Sequence, residues 1–454
     1  MTQEESLNSE GNQSVRGQKH RDGFEVNPES LTQINNGLRY MWRSIKNFFS
    51  YLWFVLSLDW FQLVSAIIDV LILIWTALNW KEVAFQTSLL LVLCGVFVNF
   101  IWQIFNVAGH FSFLKEEDPK EPLTTMLKKG KDDKKDYSLI QADHELTLLK
   151  LPYVIHQDNG VLENPDIDRL LINEQIPIIP VLSKTKRKKT AKYVKQYKDT
   201  LLKFLNHRWY EISKKGGMFT NDKKICLASE IFEEKDGTYK WRVTKGCYYH
   251  GYLTNFIYTQ YVGGTHYKLF PPVNMRTDPI KALGVSDFSD HIGVSTLLYT
   301  SDGYVIVFRQ AANAGYNADY FMPTGSGSMD YADFKKDEDL RQVIIRGAER
   351  ELAEESSLKK MLGEEDFSQL VHTTVIGYYR DMERGGKPEF CCVSRIDKTK
   401  EDLTEYIRPS KKEIANESDI PFLLKDKEKW NNVILPNASL SLKMNYKYLE
   451  QYIK

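Results

Sequence analysis

The sequence lacks several features that would place the protein in a simple class. It has only five cysteines in 454 residues and none in a CxxC spacing, which excludes a disulfide framework and a cysteine-rich zinc site. Lysine plus arginine and aspartate plus glutamate each number 60, so the chain has no overall charge bias of the kind that marks a nucleic-acid-binding protein. The first residues lack the basic and then apolar pattern of a cleaved signal peptide. A reducing cytosol is the compartment that the cysteines favour.

Two long apolar segments are the strongest local feature. They lie at about 60–80 and 83–105, and each approaches the roughly 20 apolar residues needed to cross a ~30 Å hydrocarbon core. Basic residues flank both ends, as the positive-inside rule requires of cytoplasmic loops. The pattern predicts an α-helical two-span membrane hairpin in a multi-pass protein of the inner (plasma) membrane, with cytoplasmic N- and C-termini. A buried helical pair of a soluble protein is the alternative.

Asp69 lies in the middle of the first apolar segment. An ionised side chain there costs about 2.5 to 3.5 kcal/mol on membrane-insertion scales, so it should face another helix or water rather than lipid. Two interpretations have equal weight: a contact for membrane assembly or a pore, and a neutral acid inside the hairpin. Because two spans per chain could enclose a pore only as an oligomer, we expect a homo-oligomer.

Composition predicts the domain boundaries. Residues 1–37, rich in Ser, Asn, Gln and Glu, indicate a disordered tail, and residues 38–114 form the membrane region. Residues 115–280 form an intermediate cytosolic region, to which the irregular periodicity assigns no fold. Residues 281–454 form the last domain.

Two segments of the intermediate region carry a possible binding signal. A basic block at 184–198 could hold anionic lipid head groups or a phosphate-rich ligand, and could equally be a solvated surface. Aromatic residues interleaved with Lys and Arg at 239–261 could stack on nucleotides, and the alternative is a buried β-rich subdomain.

The last domain opens with a strand pair and a glycine-rich segment. β-Branched and aromatic residues at 291–300 and 304–310 flank an Asp-Gly turn, which predicts a β-hairpin. The glycine-rich loop that follows, at 323–330, could bring backbone N–H groups close to a phosphate. The candidate nucleotide contacts in this loop are Gly325, Ser326 and Gly327.

A helix predicted at about 337–358 ends in a run of acidic residues. Spacings of three and four residues place Glu351, Glu354 and Glu355 on adjoining positions of one helix face. Like charges this close are unfavourable unless a cation lies among them, and such a cluster suits Mg²⁺, which prefers hard oxygen ligands. Arg350 could orient a carboxylate through a charge-assisted hydrogen bond. An ordinary charged helix end is the alternative, and periodicity alone does not choose between the two.

The strand, the glycine loop and the helix with Arg-Glu-Leu-x-Glu-Glu resemble the Nudix hydrolase box, G-x5-E-x7-R-E-U-x-E-E-x-G-U. Aligned on the Arg-Glu pair, Lys336 stands at the first glycine, Gln342 at the upstream glutamate and Ser357 at the last glycine. The resemblance implies an α+β domain with an α/β/α sandwich, in which the three glutamates of the helix hold metal and act in catalysis if the domain hydrolyses. The three departures favour a ligand sensor over an enzyme.

A two-span hairpin, a cytosolic spacer and a divergent Nudix domain, in this order, resemble the transmembrane Nudix effectors of bacterial CBASS antiphage systems. The resemblance implies that the cytosolic domain senses a cyclic nucleotide second messenger and that the hairpins then disrupt the inner membrane, which causes abortive infection by cell death. The expected partners are the cyclic nucleotide, the lipid bilayer and further copies of the chain, with no nucleic-acid polymer. Mg²⁺ is the only cofactor that the residues suggest.

Two other functions are compatible with the same residues. One is a membrane-tethered, Mg²⁺-dependent pyrophosphohydrolase of nucleoside diphosphate derivatives, in which a metal-bound water attacks phosphorus. The other is a membrane-bound scaffold that binds no small molecule. The basic residues near the box that could contact nucleotide phosphates are Arg309, Arg350, Arg380 and Arg384.

Overall fold

The structure is a computed structural model that describes most of the chain from residue 154 onward and shorter stretches before it. The described residues are 28–58, 60–78, 94–99, 101, 154–156, 160–214, 217–257, 280–310, 320–403 and 420–453. The chain divides into two units, residues 1–49 and 50–454. Of the tail predicted at 1–37, residues 28–37 form the start of a helix and the others lie outside the described residues.

The helices of the described part differ widely in length. They are α1 (Pro28–Ser57), α2 (Trp60–Leu78), α3 (Pro165–Ile172), α4 (Thr185–Gln196), α5 (Lys198–Lys214), α6 (Tyr248–Gly251), α7 (Leu340–Ser356), α8 (Leu358–Leu362), α9 (Glu364–Leu370), α10 (Lys400–Leu403), α11 (Lys427–Lys429) and α12 (Leu440–Ile453). Two short π-helical turns, Tyr252–Phe256 and Trp430–Ile434, follow α6 and α11 directly.

The strands of the described part range from two to eleven residues in length. They are β1 (Val154–His156), β2 (Val161–Glu163), β3 (Ile178–Leu182), β4 (Lys223–Leu227), β5 (Phe232–Glu233), β6 (Tyr239–Cys247), β7 (Gly293–Thr300), β8 (Tyr304–Arg309), β9 (Phe321–Met322), β10 (Gly325–Ser328), β11 (Val371–Asp381), β12 (Lys387–Ile396) and β13 (Ile420–Leu423). The two longest strands, β11 and β12, pair along nearly their whole length.

The predicted membrane hairpin is wrong, because no helix in the described part of the chain has the length and apolarity needed to cross a bilayer. α2 covers the first predicted span, but Asp69 interrupts its apolar sequence. The Asp69 carboxylate is buried and accepts a hydrogen bond from Asn99 Nδ2 (2.8 Å), which also donates to Ser65 Oγ (2.8 Å). Of the second predicted span, the structure describes only 94–99 and 101. The multi-pass, inner-membrane localisation predicted from the hairpin is therefore wrong as well.

Residues 50–57, the part of α1 that belongs to the second unit, pack into the core of that unit. Tyr51 and Phe54, three residues apart on one helix face, are both buried. The Tyr51 ring lies 5.3 Å from the ring of Trp209 in α5, and the Phe54 ring lies 5.2 Å from that of Tyr249 in α6. These aromatic contacts attach the start of this unit to its intermediate region.

A nine-stranded mixed sheet forms the centre of the second unit, in the order β1, β2, β11, β12, β7, β8, β13, with β10 beside β7 and β9 beside β8. β12 and β7 run parallel, with Glu389 opposite Gly293, whereas the other described pairings of this sheet are antiparallel. The predicted β7–β8 hairpin is confirmed: Leu298 pairs with Ile306, and the turn residue Gly303 has a φ of 87°, which glycine adopts at least cost.

Helices cover both faces of this sheet. On one face, Val294 and Phe390 pack with Ile344 of α7. On the other face, Leu297 packs with Leu449 of α12. Because neighbouring residues of a strand point to opposite faces, each strand contributes to both layers. The α/β/α sandwich expected of this region is therefore present, although the membrane part of the predicted fold class is not.

A smaller sheet, in the order β3, β6, β4 with β5 beside β6, lies in the intermediate region. An isolated bridge between Cys226 and His291 connects β4 to the residues that precede β7. Trp241 of β6 is fully buried, and its ring lies 5.3 Å from Tyr378 and 5.6 Å from Phe390 in the large sheet. The two sheets therefore share one core.

Candidate functional site

α7 carries the residues of the box. It begins after Asp339, whose side chain accepts a hydrogen bond from Arg341 N (2.8 Å) and so caps the helix. It ends at Ser356, and Ser357 takes the left-handed conformation with a φ of 58°. The family pattern has glycine at this position, where glycine would adopt such a φ at least cost. The departure at Ser357 thus keeps the backbone turn and changes only the side chain.

The glycine-rich segment that was predicted to be a loop is the strand β10, which pairs with β7. A Cβ on Gly325 would lie 2.6 Å from the backbone nitrogen and 2.7 Å from the Cα of Leu352 in α7. A Cβ on Gly327 would meet the carboxylate of Glu351. The glycines therefore allow the box helix to lie directly on the sheet backbone.

The carboxylates of the box make hydrogen bonds within the domain. Glu355 accepts a bond from the backbone N–H of Ser326 (2.9 Å), and the buried Glu351 accepts one from Arg350 Nη1 (2.9 Å). Arg350 also donates to Asp333 through Nε (3.1 Å) and Nη2 (3.0 Å). Burial lowers the pKa of the Arg350 guanidinium, but the bonds to Asp333 and the charge of Glu351 outweigh burial and raise this pKa above its ordinary value. The Arg350 network thus holds α7 against β10 and the turn after it.

The box residues do not fit a Mg²⁺ site. Glu354 is half exposed, with Arg350 Nη1 at 3.3 Å, while the other two glutamates point into the bonds described above. Nowhere in the described ranges do three His, Cys, Asp or Glu side chains come together as a group that could hold a metal ion. Gln342, at the position of the family's upstream glutamate, is exposed and offers a neutral amide. Mg²⁺ is held by several carboxylates together with substrate phosphates. Because the glutamates of the box do not come together as such a group, no metal-dependent step follows from this arrangement.

Three of the arginines that were predicted to contact phosphates lie outside α7, and their environments differ. Arg380 is fully buried, and its Nε donates to the Gly386 carbonyl (2.8 Å), so it holds a backbone turn. Arg309 is exposed at the end of β8. Arg384 is about one-fifth exposed and lies over the Phe256 ring, 5.0 Å from its centroid. Of the three, Arg384 combines partial exposure with an aromatic neighbour on which a base could stack.

A cluster that the sequence did not reveal surrounds Arg384. This cation–aromatic cluster consists of Lys224, Tyr248, Phe256, Arg384 and Lys387. Lys224 Nζ lies 5.8 Å from the centroid of Tyr248, Lys387 Nζ lies 5.7 Å from that of Phe256, and the two ring centroids are 5.8 Å apart. Cations over aromatic faces are attracted by the ring quadrupole, and the same residue types recognise nucleotides.

The cation–aromatic cluster borders the box. Lys224 Nζ donates to the Ser328 carbonyl (3.1 Å) at the end of β10 and pairs with Asp330. The other carboxylate oxygen of Asp330 lies 3.8 Å from Arg350 Nη1. A ligand at the cluster would therefore lie next to the end of the glycine strand and the box arginine. In the sequence, only the aromatic density at 239–261 indicates this arrangement. The cluster joins three separate segments of the chain, and no local pattern shows that they meet.

Buried polar residues lie beneath the cation–aromatic cluster and support it. Asp290 is fully buried with a φ of 49° and forms an ion pair with Lys186 (2.5 Å). Asn255 Nδ2 donates both to Asp290 Oδ1 (2.9 Å) and to the Arg384 carbonyl (3.1 Å). The neighbouring His291 is also fully buried, and burial, with the charges of two nearby lysines, lowers its pKa well below the ordinary value. The low pKa keeps His291 neutral at pH 7. Separately, the hydrogen bond from Asn255 to the Arg384 carbonyl fixes the turn that carries Arg384.

No family model matches the sequence, and no curated protein does. Similar solved structures include DR0079 from Deinococcus radiodurans, with 12% identity, a TM-score of 0.23 and coverage of 34% of this chain and 80% of that one. They also include a MutT protein from Methanosarcina mazei Go1, with 14% identity, a TM-score of 0.24 and coverage of 36% and 95%. Because the TM-scores are below 0.5, we take no residue role and no activity from either protein.

Proposed function

We propose that the α/β/α region of this chain is a Nudix-like domain that binds a nucleotide as a sensor and does not hydrolyse it by a metal-dependent route. The observation that carries this proposal is that the glutamates of the box bind groups of their own domain and that one glutamate of the family pattern is missing. Glu351 and Glu355 are bound to Arg350 and to the Ser326 N–H, and the upstream glutamate is replaced by an exposed amide. The positive charge of Arg350, which is bonded to Glu351 and lies 3.3 Å from Glu354, disfavours a further cation between these glutamates.

The proposed ligand site is the cation–aromatic cluster beside the box. Arg384, whose Nε lies 3.5 Å from Asp381 and whose Nη1 lies 3.6 Å from Glu389, would exchange these ion pairs for a phosphate, to which arginine can donate two parallel hydrogen bonds. Phe256 and Tyr248 are partly exposed rings on which a base can stack, at a typical gain of about 1 to 3 kcal/mol per base. The binding energy would come from this chain's side chains alone, so we expect ligand binding without added Mg²⁺.

The family resemblance suggests the class of nucleotide. We propose a cyclic nucleotide second messenger of a CBASS antiphage system, with this chain as the effector that senses it. Disruption of the inner membrane is not part of the proposal, because the helical hairpin on which it depended is not supported. Assembly into a homo-oligomer stays a prediction.

The test is the thermal stability of the full chain against a panel of cyclic and linear nucleotides, with and without Mg²⁺. A ligand that binds only the folded state stabilises it by about 2.7 kcal/mol at 100 times its Kd. We expect one cyclic nucleotide to raise the melting temperature equally in Mg²⁺ and in EDTA. Arg384→Gln should abolish this shift, whereas Arg395→Gln, a matched change at an exposed arginine that lies over Tyr452, should preserve it.

The same experiment separates the sensor from an enzyme. Stabilisation that requires Mg²⁺ and a linear nucleoside diphosphate derivative, accompanied by its cleavage, would contradict the proposal. In that case Glu354→Gln combined with Glu355→Gln should abolish cleavage, since a metal-bound water would be the nucleophile. If no nucleotide of either kind stabilises the folded chain, the region is a scaffold and the sensor proposal fails.

A further inference from the structure

α4 presents an exposed basic surface that the proposed nucleotide site does not use. The residues of this basic face are Lys184, Arg187, Lys188, Lys192 and Lys195, all of which are exposed. The opposite side of the helix is buried through Thr190, Tyr193 and Val194. Because the lysines recur at intervals of three and four residues, they form a stripe along one side of the helix.

The charge of the basic face is uncompensated. The helix contains no acidic residue, and none of the five cations has an ion pair among the residues that the structure describes. Lys184 and Lys188, and likewise Lys188 and Lys192, are four residues apart, a spacing at which like charges destabilise a helix. The first turn is also basic and has no side-chain cap, although the positive end of the helix dipole disfavours cations there. This arrangement reduces the stability of the helix, which points to a role other than folding.

The helix is nevertheless held firmly by its buried side. Lys186 is almost fully buried, and its ammonium group donates to the carbonyls of Leu283 (2.9 Å) and Ser286 (3.0 Å) and pairs with Asp290. Thr190 Oγ1 donates to the Phe288 carbonyl (3.1 Å). The basic face is therefore carried by a helix whose position is fixed by its buried side.

We propose that the basic face binds the phosphate backbone of a nucleic acid. Lysine is a compact point charge suited to phosphates, and it is depleted in protein–protein interfaces, which favour aromatic and other apolar residues that this face lacks. A helix of twelve residues is about 18 Å long, a length over which duplex DNA presents about ten phosphates. The face has no aromatic side chain, and its cations would contact phosphates rather than base edges, so binding is independent of base sequence and depends strongly on salt. This proposal is the alternative to the expectation from the sequence that the chain binds no nucleic-acid polymer, which stays untested.

The experiment uses the full chain and a fluorescently labelled 30-base-pair duplex of arbitrary sequence, with anisotropy measured between 50 and 200 mM salt. The test variant combines Lys188→Gln, Lys192→Gln and Lys195→Gln, which preserves helix propensity. Loss of three phosphate contacts should lower the slope of log K against log salt by about 2.7 and weaken binding at least tenfold at 100 mM salt. The melting temperature should not fall, since like-charge repulsion is removed.

The matched control combines Lys235→Gln, Lys360→Gln and Lys425→Gln, three exposed lysines on other parts of the chain with the same total change in charge. It should keep the affinity and the salt slope of the unmodified chain. Equal losses in both variants would overturn the proposal, because they would reflect net charge alone. Polyglutamate serves as a second probe: if it binds through the basic face while the duplex does not, the partner is an acidic protein and the nucleic-acid proposal is wrong.

Discussion

Asp168 shows how the fold changes the chemistry of one carboxyl group. It lies in α3, its Oδ1 accepts a hydrogen bond from Tyr378 N (2.8 Å), and the buried Glu163 lies nearby. Burial raises the pKa of Asp168 to about 7, assisted by the charge of Glu163 and opposed by the bond from Tyr378.

This shift predicts a pH dependence of stability. The folded state binds a proton at Asp168 below about pH 7, whereas the unfolded chain binds it only below its ordinary value near 4. The free energy of unfolding should therefore fall as pH rises from about 4 to about 7 and then level off. In urea unfolding, Asp168→Asn should remove this contribution, because the amide oxygen can still accept the bond from Tyr378 while carrying no charge.

Asp166→Asn is the matched control, since Asp166 lies on the same helix but is exposed. It should leave the pH dependence between 5 and 8 unchanged. If the difference in stability between the unmodified chain and Asp168→Asn is the same at pH 5 and pH 8, the pKa of Asp168 is not raised and the prediction is wrong.

At the scale of elements, the contact between α7 and β10 depends on two glycines in different ways. A methyl group at Gly325 would meet the backbone of Leu352, which cannot rotate away, so Gly325→Ala should cost about 3 kcal/mol of unfolding free energy. A methyl group at Gly327 would meet the side chain of Glu351, which can move, so Gly327→Ala should cost about 1 kcal/mol. Urea unfolding of the two variants measures the difference, and equal losses would show that the helix is free to shift.

The same elements show what the sequence can predict. The β7–β8 hairpin and the box helix follow from short-range patterns, the alternation of β-branched residues and the 3.6-residue period. β10 was missed because Gly-Ser-Gly-Ser carries no apolar alternation, and its strand conformation comes from pairing with β7 and from the close approach of α7. The membrane hairpin was predicted from hydropathy, which does not show that Asn99 binds a polar stripe within α2.

The site was less predictable than the fold. Arg350 and Glu351 were found because they adjoin in a motif, but the motif did not show that they bind each other. Phe256 and Lys387 meet only through the packing of the intermediate region on the large sheet. No local pattern encodes a contact between segments more than a hundred residues apart.

At the scale of the whole molecule, the region 281–454 depends on residues that precede it. β2 pairs with the end of β11, and Trp241 fills the core beside Tyr378. Arg341 of α7 is buried and donates to the carbonyls of Leu170 (2.9 Å) and Asn173 (2.8 Å). Without these segments Arg341 would lose its carbonyl partners and Tyr378 would lose the cover of Trp241, so apolar surface that is now buried would be exposed to water.

We therefore expect a fragment of residues 281–454 to lack cooperative unfolding and near-ultraviolet circular dichroism, although it contains the complete box. A fragment of residues 154–454 should recover both signals. If the shorter fragment unfolds cooperatively with native-like aromatic signals, the domain boundary predicted near residue 281 is correct and the preceding segments are only accessory.

The parallel pairing of β7 with β12 also sets the order of events as the chain is made. These strands lie roughly a hundred residues apart. At typical synthesis rates of about 5 to 20 residues per second, one edge of β7 stays without its partner strand for about 5 to 20 seconds. The face that α12 covers remains open still longer, until Leu449 has left the ribosome. During this interval an apolar surface and an unpaired strand edge are available to neighbouring chains. Newly synthesised molecules thus have a period of vulnerability to aggregation in which chaperones would act.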